Sequence, residues 1–441
     1  MYNIIAGRGI NNMGESDAPQ VPRPYRSVYM VTKGMSVVIP AWGELNIVSN
    51  SVLSAVRQWA PSDNKYPKYE VVIVDDWLEG RREDGTSPYD YFLSDEFKKL
   101  YDTERVSVKL ILNAEHKYQG ESREIGFKAA TYKFFTLLDC DDMLAPNCLY
   151  RYWECIEKES VKKPIAVIHG SLYSFDKNEY ANIIPGTSIW VQSRCYNRDF
   201  IEHHEVHFPT GTRSRQGEDY PFIRCLDYAV QHDQSYQFIT FDHTKVQAFA
   251  YWFPNYNSLS RQDKHYGQHL AGWTMGSSNQ ILEYMEWFNN ENGLTMQDDE
   301  QYKQEVLNMN VYAMYNLLDW LANVAMDREW QPKEEDWYAL RDNVVKLKRH
   351  IAPLWNEYVP SDIYDMLHQV KHHSDVRFVE SWLGNFFSFV ESTWAPLLMN
   401  YQEMLDYCHS LKFDQAAHEV NAAYVKAFTE RHKDIKYKEQ R

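Results

Sequence analysis

An alternation of apolar runs with helix-like segments between residues 34 and 138 is the feature that most restricts the fold of this chain. The segments with helical spacing lie at 45–59 and 120–132. Apolar runs rich in β-branched and aromatic residues, as buried strands are, lie at 36–40, 69–74, 106–112 and 134–138. Strands that alternate with helices predict a mainly parallel sheet, whose ligands bind beyond the carboxyl ends of its strands.

Two of these runs end in carboxylates. Asp75 and Asp76 follow the second run, and Asp139, Asp141 and Asp142 follow the fourth. Burying like charges together is costly unless a cation compensates them. The cluster after the fourth run therefore indicates a divalent metal that also holds a phosphate, with a solvated acidic turn as the alternative. Because the carboxyl ends of parallel strands meet at one edge of a sheet, we expect both acidic groups to face one cleft.

The chain of 441 residues is long for a single core, and its character changes near residue 278. Beyond that point apolar residues recur at helical spacing, and the acidic run 334–336 after Pro332 predicts the first turn of a helix. We therefore expect three regions: an irregular extension over 1–33, an α/β domain over 34–277 and an all-α domain over 278–441.

The overall composition is that of a soluble globular protein, with 44% apolar and 24% charged residues. A net charge of −16 argues against a protein whose main task is to grip a polyanion, although a local basic groove stays open. The six cysteines form no CxxC pair, no signal peptide is recognisable, and no apolar stretch reaches the roughly 18 residues of a membrane span. These features predict a cytoplasmic protein with reduced thiols.

Several short motifs follow one another along the predicted α/β domain. In chain order they are MSVVIPAWGELNIVSNSVLSAV, EVVIVDDWLEG, NAEHKYQGESREIGFKAAT, LDCDDMLAPN and QGEDYPFIRCL. Together they resemble the GT-A glycosyltransferases of family 2, over roughly residues 34–262. The resemblance implies a Rossmann-like domain that binds a nucleotide-diphospho sugar as its donor substrate.

The resemblance implies a nucleotide site built from residues of the first four motifs. They are Pro40, Ala41, Glu44, Asp75, Asp76, Gly120, Arg123 and Asp139. Asp76 would hydrogen-bond the base with Asp75 beside it, but Trp77 and Leu78 stand where the family has Gly-Ser. Arg123, on the first turn of a helix, is well placed to reach a base, ribose or phosphate. Its alternative is an ion pair with a neighbouring glutamate on a solvated face.

Metal binding and catalysis are implied in the same way. Asp139 would approach the ribose, Asp141 would ligate Mn²⁺ or Mg²⁺, and Asp142 would support the metal or the sugar. Asp219 would be the base that takes the proton of the acceptor hydroxyl, and Glu218 would orient the acceptor or support Asp219. The alternative for this last pair is a helix N-terminus whose macrodipole favours acidic residues.

Other candidates are less regular. Segment 249–261 resembles the part of the family that closes over the diphosphate, but Trp252 replaces the usual Arg, so a third metal ligand stays open. Ser258, Ser260 and Arg261 are candidates for the phosphates. The histidines at 203, 204 and 207 invite a zinc interpretation, but their spacing matches no standard zinc signature.

The leading hypothesis is a metal-dependent inverting glycosyltransferase that moves a sugar from a nucleotide-diphospho sugar, most simply UDP-linked, to a hydroxyl of a carbohydrate or other acceptor. One alternative is a phage-type glycosyltransferase that acts on a modified DNA base, which the net acidity does not favour. A different class is a non-catalytic binding or assembly protein on a degenerate GT-A fold. The helical domain would bind acceptor or build a homo-oligomer.

Overall fold

The structure is a computed structural model of the chain. It describes residues 4–5, 33–59, 66–175, 181–185, 191–210, 217–243, 247–253, 266–295, 299–303, 305–306, 309, 317, 320–321, 323–324, 330–351 and 399–410. The strands are β1 (Ile4–Ile5), β2 (Gly34–Ala41), β3 (Lys68–Asp75), β4 (Val106–Leu112), β5 (Phe134–Leu137), β6 (Met143–Leu144), β7 (Ile165–His169), β8 (Ser171–Phe175), β9 (Ala181–Pro185), β10 (Arg194–Asn197), β11 (Gln237–Phe241) and β12 (Ala250–Trp252). The helices are α1 (Leu45–Val56), α2 (Asp95–Lys98), α3 (Tyr118–Ala129), α4 (Cys148–Glu159), α5 (Arg198–His203), α6 (Asp219–His232), α7 (Tyr266–Glu291), α8 (Glu334–Ile351) and α9 (Tyr401–Ser410).

Most strands belong to one eight-stranded sheet with the order β1-β11-β7-β10-β5-β2-β3-β4. Strands β5, β2, β3 and β4 run parallel to one another, and β11 runs parallel to β7. β10 is antiparallel to both β5 and β7, and β1 is antiparallel to β11. The sheet is therefore mainly parallel, which confirms the fold class predicted from the sequence.

The strands at the centre of this sheet lie where the apolar runs predicted them. β4 covers the predicted residues 106–112, and β2 and β3 extend their predicted runs at both ends. All residues of β2 are buried, as expected for a parallel strand covered by helices on both faces. Helix α3 packs closely on this sheet. A Cβ on Gly126 would lie only 2.3 Å from Cγ1 of Val38. Glycine at this position allows the close approach.

A second, four-stranded sheet has the order β6-β12-β8-β9. β6 begins at Met143, directly after the acidic cluster, and pairs with β12. β12 in turn runs parallel to β8. The acidic cluster is thus held between the end of β5 in one sheet and the start of β6 in the other.

The chain divides into two compact units, Met1–Ser258 and Leu259–Arg441. The boundary predicted between residues 277 and 278 lies within α7, so the change in residue character comes later than the division. In the second unit every regular element among the described residues is a helix, and α8 begins with the predicted acidic turn. Across the described residues, no helix combines the length and apolarity needed to cross a membrane.

Candidate active site

The acidic loop after β5 is held by α1. The Ser51 hydroxyl lies 2.6 Å from the carbonyl oxygens of both Cys140 and Asp142. The backbone N–H of Asp142 also donates to the carbonyl of Asp139 at 3.1 Å. These bonds close a tight turn, so that its carboxylates follow the strand end instead of extending into solvent. Asp142 is 2% exposed.

Glu218 and Asp219 lie at the head of α6, as the sequence predicted. Gly217 has φ +69°, a left-handed conformation that favours glycine, and the helix begins at Asp219. Glu218 is 4% exposed, while the Asp219 side chain is 23% exposed. The acidic pair therefore combines one buried carboxyl with one that solvent or a substrate can reach.

Arg123 joins the two acidic groups. Its Nη2 lies 2.6 Å from Oδ1 of Asp139, and its Nη1 lies 2.7 Å from Oε1 of Glu218. Nη1 also bonds the carboxylate of Asp219. The Arg123 side chain is 1% exposed, and buried arginine is rare without such partners. One guanidinium thus brings together two motifs that are 95 residues apart.

The alternative, in which Arg123 forms an ion pair with a neighbouring glutamate on a solvated face, is excluded because both neighbouring glutamates have lysine partners. Glu121 pairs with Lys117 at 3.0 Å, and Glu124 pairs with Lys128 at 2.8 Å. The Arg123 guanidinium instead lies 5.7 Å from the centroid of the Phe208 ring. An aromatic face at this distance adds a favourable cation–π contact, so Arg123 is fixed by packing as well as by charge.

Residues 191 and 192 form a second link between the acidic groups. Nε2 of Gln192 bonds Oδ2 of Asp139 and lies 3.3 Å from Oδ2 of Asp142. The backbone N–H of Val191 bonds the carboxylate of Asp219. Gln192 was not identified from the sequence, because a single glutamine in a mixed segment has no diagnostic spacing.

The site carries more negative than positive charge. Burial, together with Asp139 and Asp141, raises the pKa of Asp142 well above the ordinary aspartate value. Burial and the adjacent Asp219 raise the pKa of Glu218 to about 8. Burial also raises the pKa of Asp219, against the opposing effect of Arg123. An added cation would relieve this repulsion.

The residues present fit a divalent cation that keeps part of its coordination shell for a ligand. Among the described residues, no group of three or more His, Cys, Asp or Glu is arranged to hold a metal. Mg²⁺ usually binds through one or two carboxylates together with water and substrate phosphates. Asp141 and Asp142 can supply those carboxylates. The raised pKa of Asp142 fits this role, because a bound cation would lower it again.

Asp75 and Asp76, at the end of β3, lie at the same edge of the sheet but have their own partners. Oδ1 of Asp75 accepts the N–H of Trp77 at 2.9 Å, and Oδ2 lies 3.5 Å from Nε of Arg81. Oδ1 of Asp76 accepts Nδ2 of Asn113 at 2.8 Å and the backbone N–H of residue 117 at 2.7 Å. Its Oδ2 lies 2.7 Å from Nδ1 of the residue 116 imidazole. Asp76 is therefore satisfied within the protein, whereas Oδ2 of Asp75 is buried without a hydrogen-bond donor among the described residues and has only the ion pair with Arg81.

The remaining donor-site candidates occupy two elements. Pro40 and Ala41 end β2, and Glu44 is the exposed N-cap residue of α1. The loop between them touches the acidic loop, since Sγ of Cys140 lies 3.4 Å from the Trp42 carbonyl oxygen. Gly120 is buried in the first turn of α3, the helix that carries Arg123.

Some sequence candidates have other roles or lie outside the described residues. His204 pairs with Asp233 at 2.9 Å and His207 with Glu124 at 2.8 Å, so the zinc interpretation finds no support there. The candidates for the phosphates, Ser258, Ser260 and Arg261, lie outside the described residues.

The domain is a mainly parallel α/β sheet with acidic residues grouped at its carboxyl edge, which is the edge where open α/β sheets bind ligands. Residues 36–215 match the model of the glycosyl transferase family 2. This match agrees with the family resemblance predicted from the sequence, and it covers less than half of the chain.

Individual similarities are more distant. Chondroitin synthase from Escherichia coli is 27% identical over 127 residues, which are 29% of this chain and 16% of that protein. The chain thus spans about a sixth of the length of that relative. Crystal structures of S. aureus TarS 1-349 with UDP and with UDP-GlcNAc are each 13% identical, with TM-scores of 0.45 and 0.48. Each alignment covers 81% of this chain and 92% of the TarS chain. The identification therefore rests on the family match.

Proposed function

We propose that the protein is a metal-dependent inverting glycosyltransferase that moves a sugar from a UDP-linked donor to an acceptor hydroxyl. The observation that carries this proposal is the Arg123 centre, which joins the acidic loop at Asp139 to Glu218 and Asp219. Residues 36–215 match the family 2 model, and E. coli chondroitin synthase is a similar protein. A purely structural ion-pair network would not need so many buried carboxylates around one guanidinium.

On the donor side, the base is proposed to lie along the edge formed by Pro40, Ala41 and Glu44, near Asp75 and Asp76. The Oδ2 atom of Asp76 has an acceptor position left beyond its contact with the residue 116 imidazole. It could take an N–H of the base there.

The ribose and diphosphate are proposed to lie toward the other acidic group. Asp139 would receive the ribose, with Gly120 and Arg123 beside it. Asp141 and Asp142 would hold Mn²⁺ or Mg²⁺, which supplies charge neutralisation for the leaving nucleoside diphosphate when bound.

Asp219 is proposed to be the base. Its carboxylate takes the proton of the acceptor hydroxyl while the hydroxyl oxygen forms a bond to the anomeric carbon. The bond from that carbon to the phosphate oxygen breaks, its electron pair leaves with the nucleoside diphosphate, and the anomeric configuration inverts. Arg123 opposes the rise that burial produces in the pKa of the Asp219 carboxyl, and Glu218 contacts the guanidinium as well.

The acceptor is proposed to be a carbohydrate or another hydroxyl-bearing molecule, and the second unit is proposed to bind it or to build a homo-oligomer. The six cysteines are all free thiols. Free thiols suit a reducing compartment such as the cytoplasm, because oxidising compartments favour disulfides.

The test is turnover of a panel of UDP-glucose, UDP-galactose, UDP-GlcNAc and UDP-glucuronate with and without Mn²⁺. We expect release of UDP from one of these donors in the presence of Mn²⁺. Asp219→Asn should lower that rate by about 10²- to 10⁴-fold, because the general base is lost, while UDP binding changes little. Turnover of the Asp219→Asn variant at the wild-type rate would remove Asp219 as the base.

A further inference from the structure

The side chain of Gln192 is buried among the carboxylates of the site. It is 2% exposed, and its Nε2 faces Asp139 and Asp142. The amide must have this orientation, because its oxygen in the same place would face two carboxylate oxygens and repel both.

The other end of the same amide has no partner. Oε1 of Gln192 is buried and accepts no hydrogen bond in the structure. A buried acceptor left without a donor costs about 1–3 kcal/mol. Groups of this kind in a native structure need an explanation, and an absent ligand is one.

The backbone around Gln192 is held on both sides, so the side chain cannot easily turn away. The Tyr196 hydroxyl donates to the Val191 carbonyl at 2.7 Å. The Ser193 carbonyl accepts the N–H of Gly170 at 2.7 Å. Ser193 itself has φ +59°, a conformation that is uncommon outside glycine and costs about 1–3 kcal/mol. Strain of this kind persists where the surrounding structure fixes a side chain in one place.

The contacts of residues 191 and 192 show which parts of the site the Gln192 amide lies between. Gln192 touches Asp139 and Asp142 on the donor side, and the N–H of Val191 touches Asp219 on the side of the proton acceptor. In the proposed reaction, the group that lies between the diphosphate and the base is the sugar being transferred. Such a sugar carries hydroxyl groups, which are the donors that an amide oxygen lacks here.

We infer that Oε1 of Gln192 accepts a hydrogen bond from a hydroxyl of the transferred sugar, which makes Gln192 a sugar-binding residue of the donor site. The inference rests on the proposed function. It separates recognition of the sugar, by Gln192, from recognition of the nucleotide, by the residues at the ends of β2, β3 and β5.

The experiment is calorimetric titration, in the presence of Mn²⁺, of UDP and of the four UDP-sugars named above. The proteins are the wild type, Gln192→Leu and the surface control Gln231→Leu. We expect Gln192→Leu to weaken binding of the preferred UDP-sugar about tenfold more than it weakens binding of UDP, because the lost hydrogen bond to the sugar affects only the UDP-sugar, whereas any effect through Asp139 and Asp142 acts on both ligands. Gln231→Leu should change neither. Equal weakening of UDP and UDP-sugar would place the contact on the ribose, the phosphates or the metal, and would overturn the inference.

A second measurement does not depend on the folding of the variant. Wild-type protein is titrated with 2-deoxy, 3-deoxy and 4-deoxy forms of the preferred UDP-sugar, and removal of one hydroxyl should lower affinity about tenfold. In Gln192→Leu the same removal should cost nothing further. If every deoxy sugar binds wild type as well as the parent, the inference is wrong although the proposed function stands. A wild type that binds UDP but none of the UDP-sugars overturns both.

Discussion

Asp75 and Asp76 at the end of β3, and Asp139, Asp141 and Asp142 after β5, lie at the same edge of the sheet, but their carboxylates have different partners. The first pair is met by Arg81 and by several N–H donors at 2.7–2.9 Å. In the second group, Asp139 shares the Arg123 guanidinium with Glu218 and Asp219, and shares the Gln192 amide with Asp142.

The difference lies in how much positive charge and how many donors the protein supplies. In the first pair, Asp75 has an arginine of its own and Asp76 accepts N–H groups from Asn113 and residue 117, so both carboxylates stabilise the loops after β3 and β4. Those of the second group crowd several acidic groups around one arginine, and burial and these like charges raise the pKa of Asp142 well above its ordinary value. Strand-end carboxylates therefore favour a bound cation only where the fold leaves their charge uncompensated.

The largest effect is expected on removing the shared cation of the second group. Arg123→Met should lower the free energy of unfolding by about 3–5 kcal/mol, because it leaves buried carboxylates without a counter-charge. Urea unfolding at pH 7 measures it. The control is Arg82→Met, whose side chain is 54% exposed and pairs with Asp90 at 3.7 Å. Equal stability of the two variants would mean that Arg123 does not compensate the cluster.

A smaller effect is expected for the first pair. Asp76→Ala should lower the free energy of unfolding by about 1–3 kcal/mol, because it leaves the Asn113 amide and a backbone N–H unsatisfied. It should also reduce the preference for UDP over ADP, measured by calorimetry, if Asp76 contacts the base as proposed. The exposed Glu79→Ala is the control. If Asp76→Ala loses stability but keeps its preference for UDP over ADP, the role of Asp76 is purely structural. If it loses neither, the contrast drawn between the two acidic groups is wrong.

The second group should also show a pH dependence of its stability. The pKa of Glu218 is raised to about 8 from 4.5, so the folded state binds this proton more tightly than the unfolded state does. The stability that the proton contributes is fully present below pH 4.5 and is lost as pH rises toward 8. Glu218→Gln keeps a neutral side chain, so it should gain stability relative to wild type between pH 5 and pH 9.

Urea unfolding at both pH values measures this gain. The exposed Glu83→Gln is the matched control, and its difference from wild type should be the same at pH 5 and pH 9. An equally constant difference for Glu218→Gln would show that Glu218 is not held neutral by its surroundings.

The sheet could be predicted from the sequence because its determinants are local. Each central strand lies at one of the predicted apolar runs, and β4 was predicted over the same residues that form it. The family resemblance also placed Arg123 near the nucleotide site. Its pairing with Glu218 could not be predicted, because the two residues are 95 positions apart and no periodic pattern connects them.

The role of Gln192 could not be predicted from the sequence either. It lies 53 residues from Asp139, and its importance comes from an unpaired oxygen that exists only once the fold is formed. The partners of Asp76 were also hidden, since the donors come from the end of β4 and the loop before α3. Sequence patterns therefore predicted which carboxylates lie at the edge of the sheet, while only the structure distinguishes the compensated pair from the uncompensated group.

The most direct test of this distinction is the gain in UDP affinity that Mn²⁺ produces, measured by calorimetry with and without the metal. The proteins are wild type, Asp141→Ala and Asp76→Ala. We predict that Mn²⁺ strengthens UDP binding in wild type and in Asp76→Ala, and that Asp141→Ala loses at least about tenfold of this gain because a metal carboxylate is missing. An Asp141→Ala protein with the full Mn²⁺-dependent gain would contradict the assignment of the acidic loop as the metal and diphosphate site.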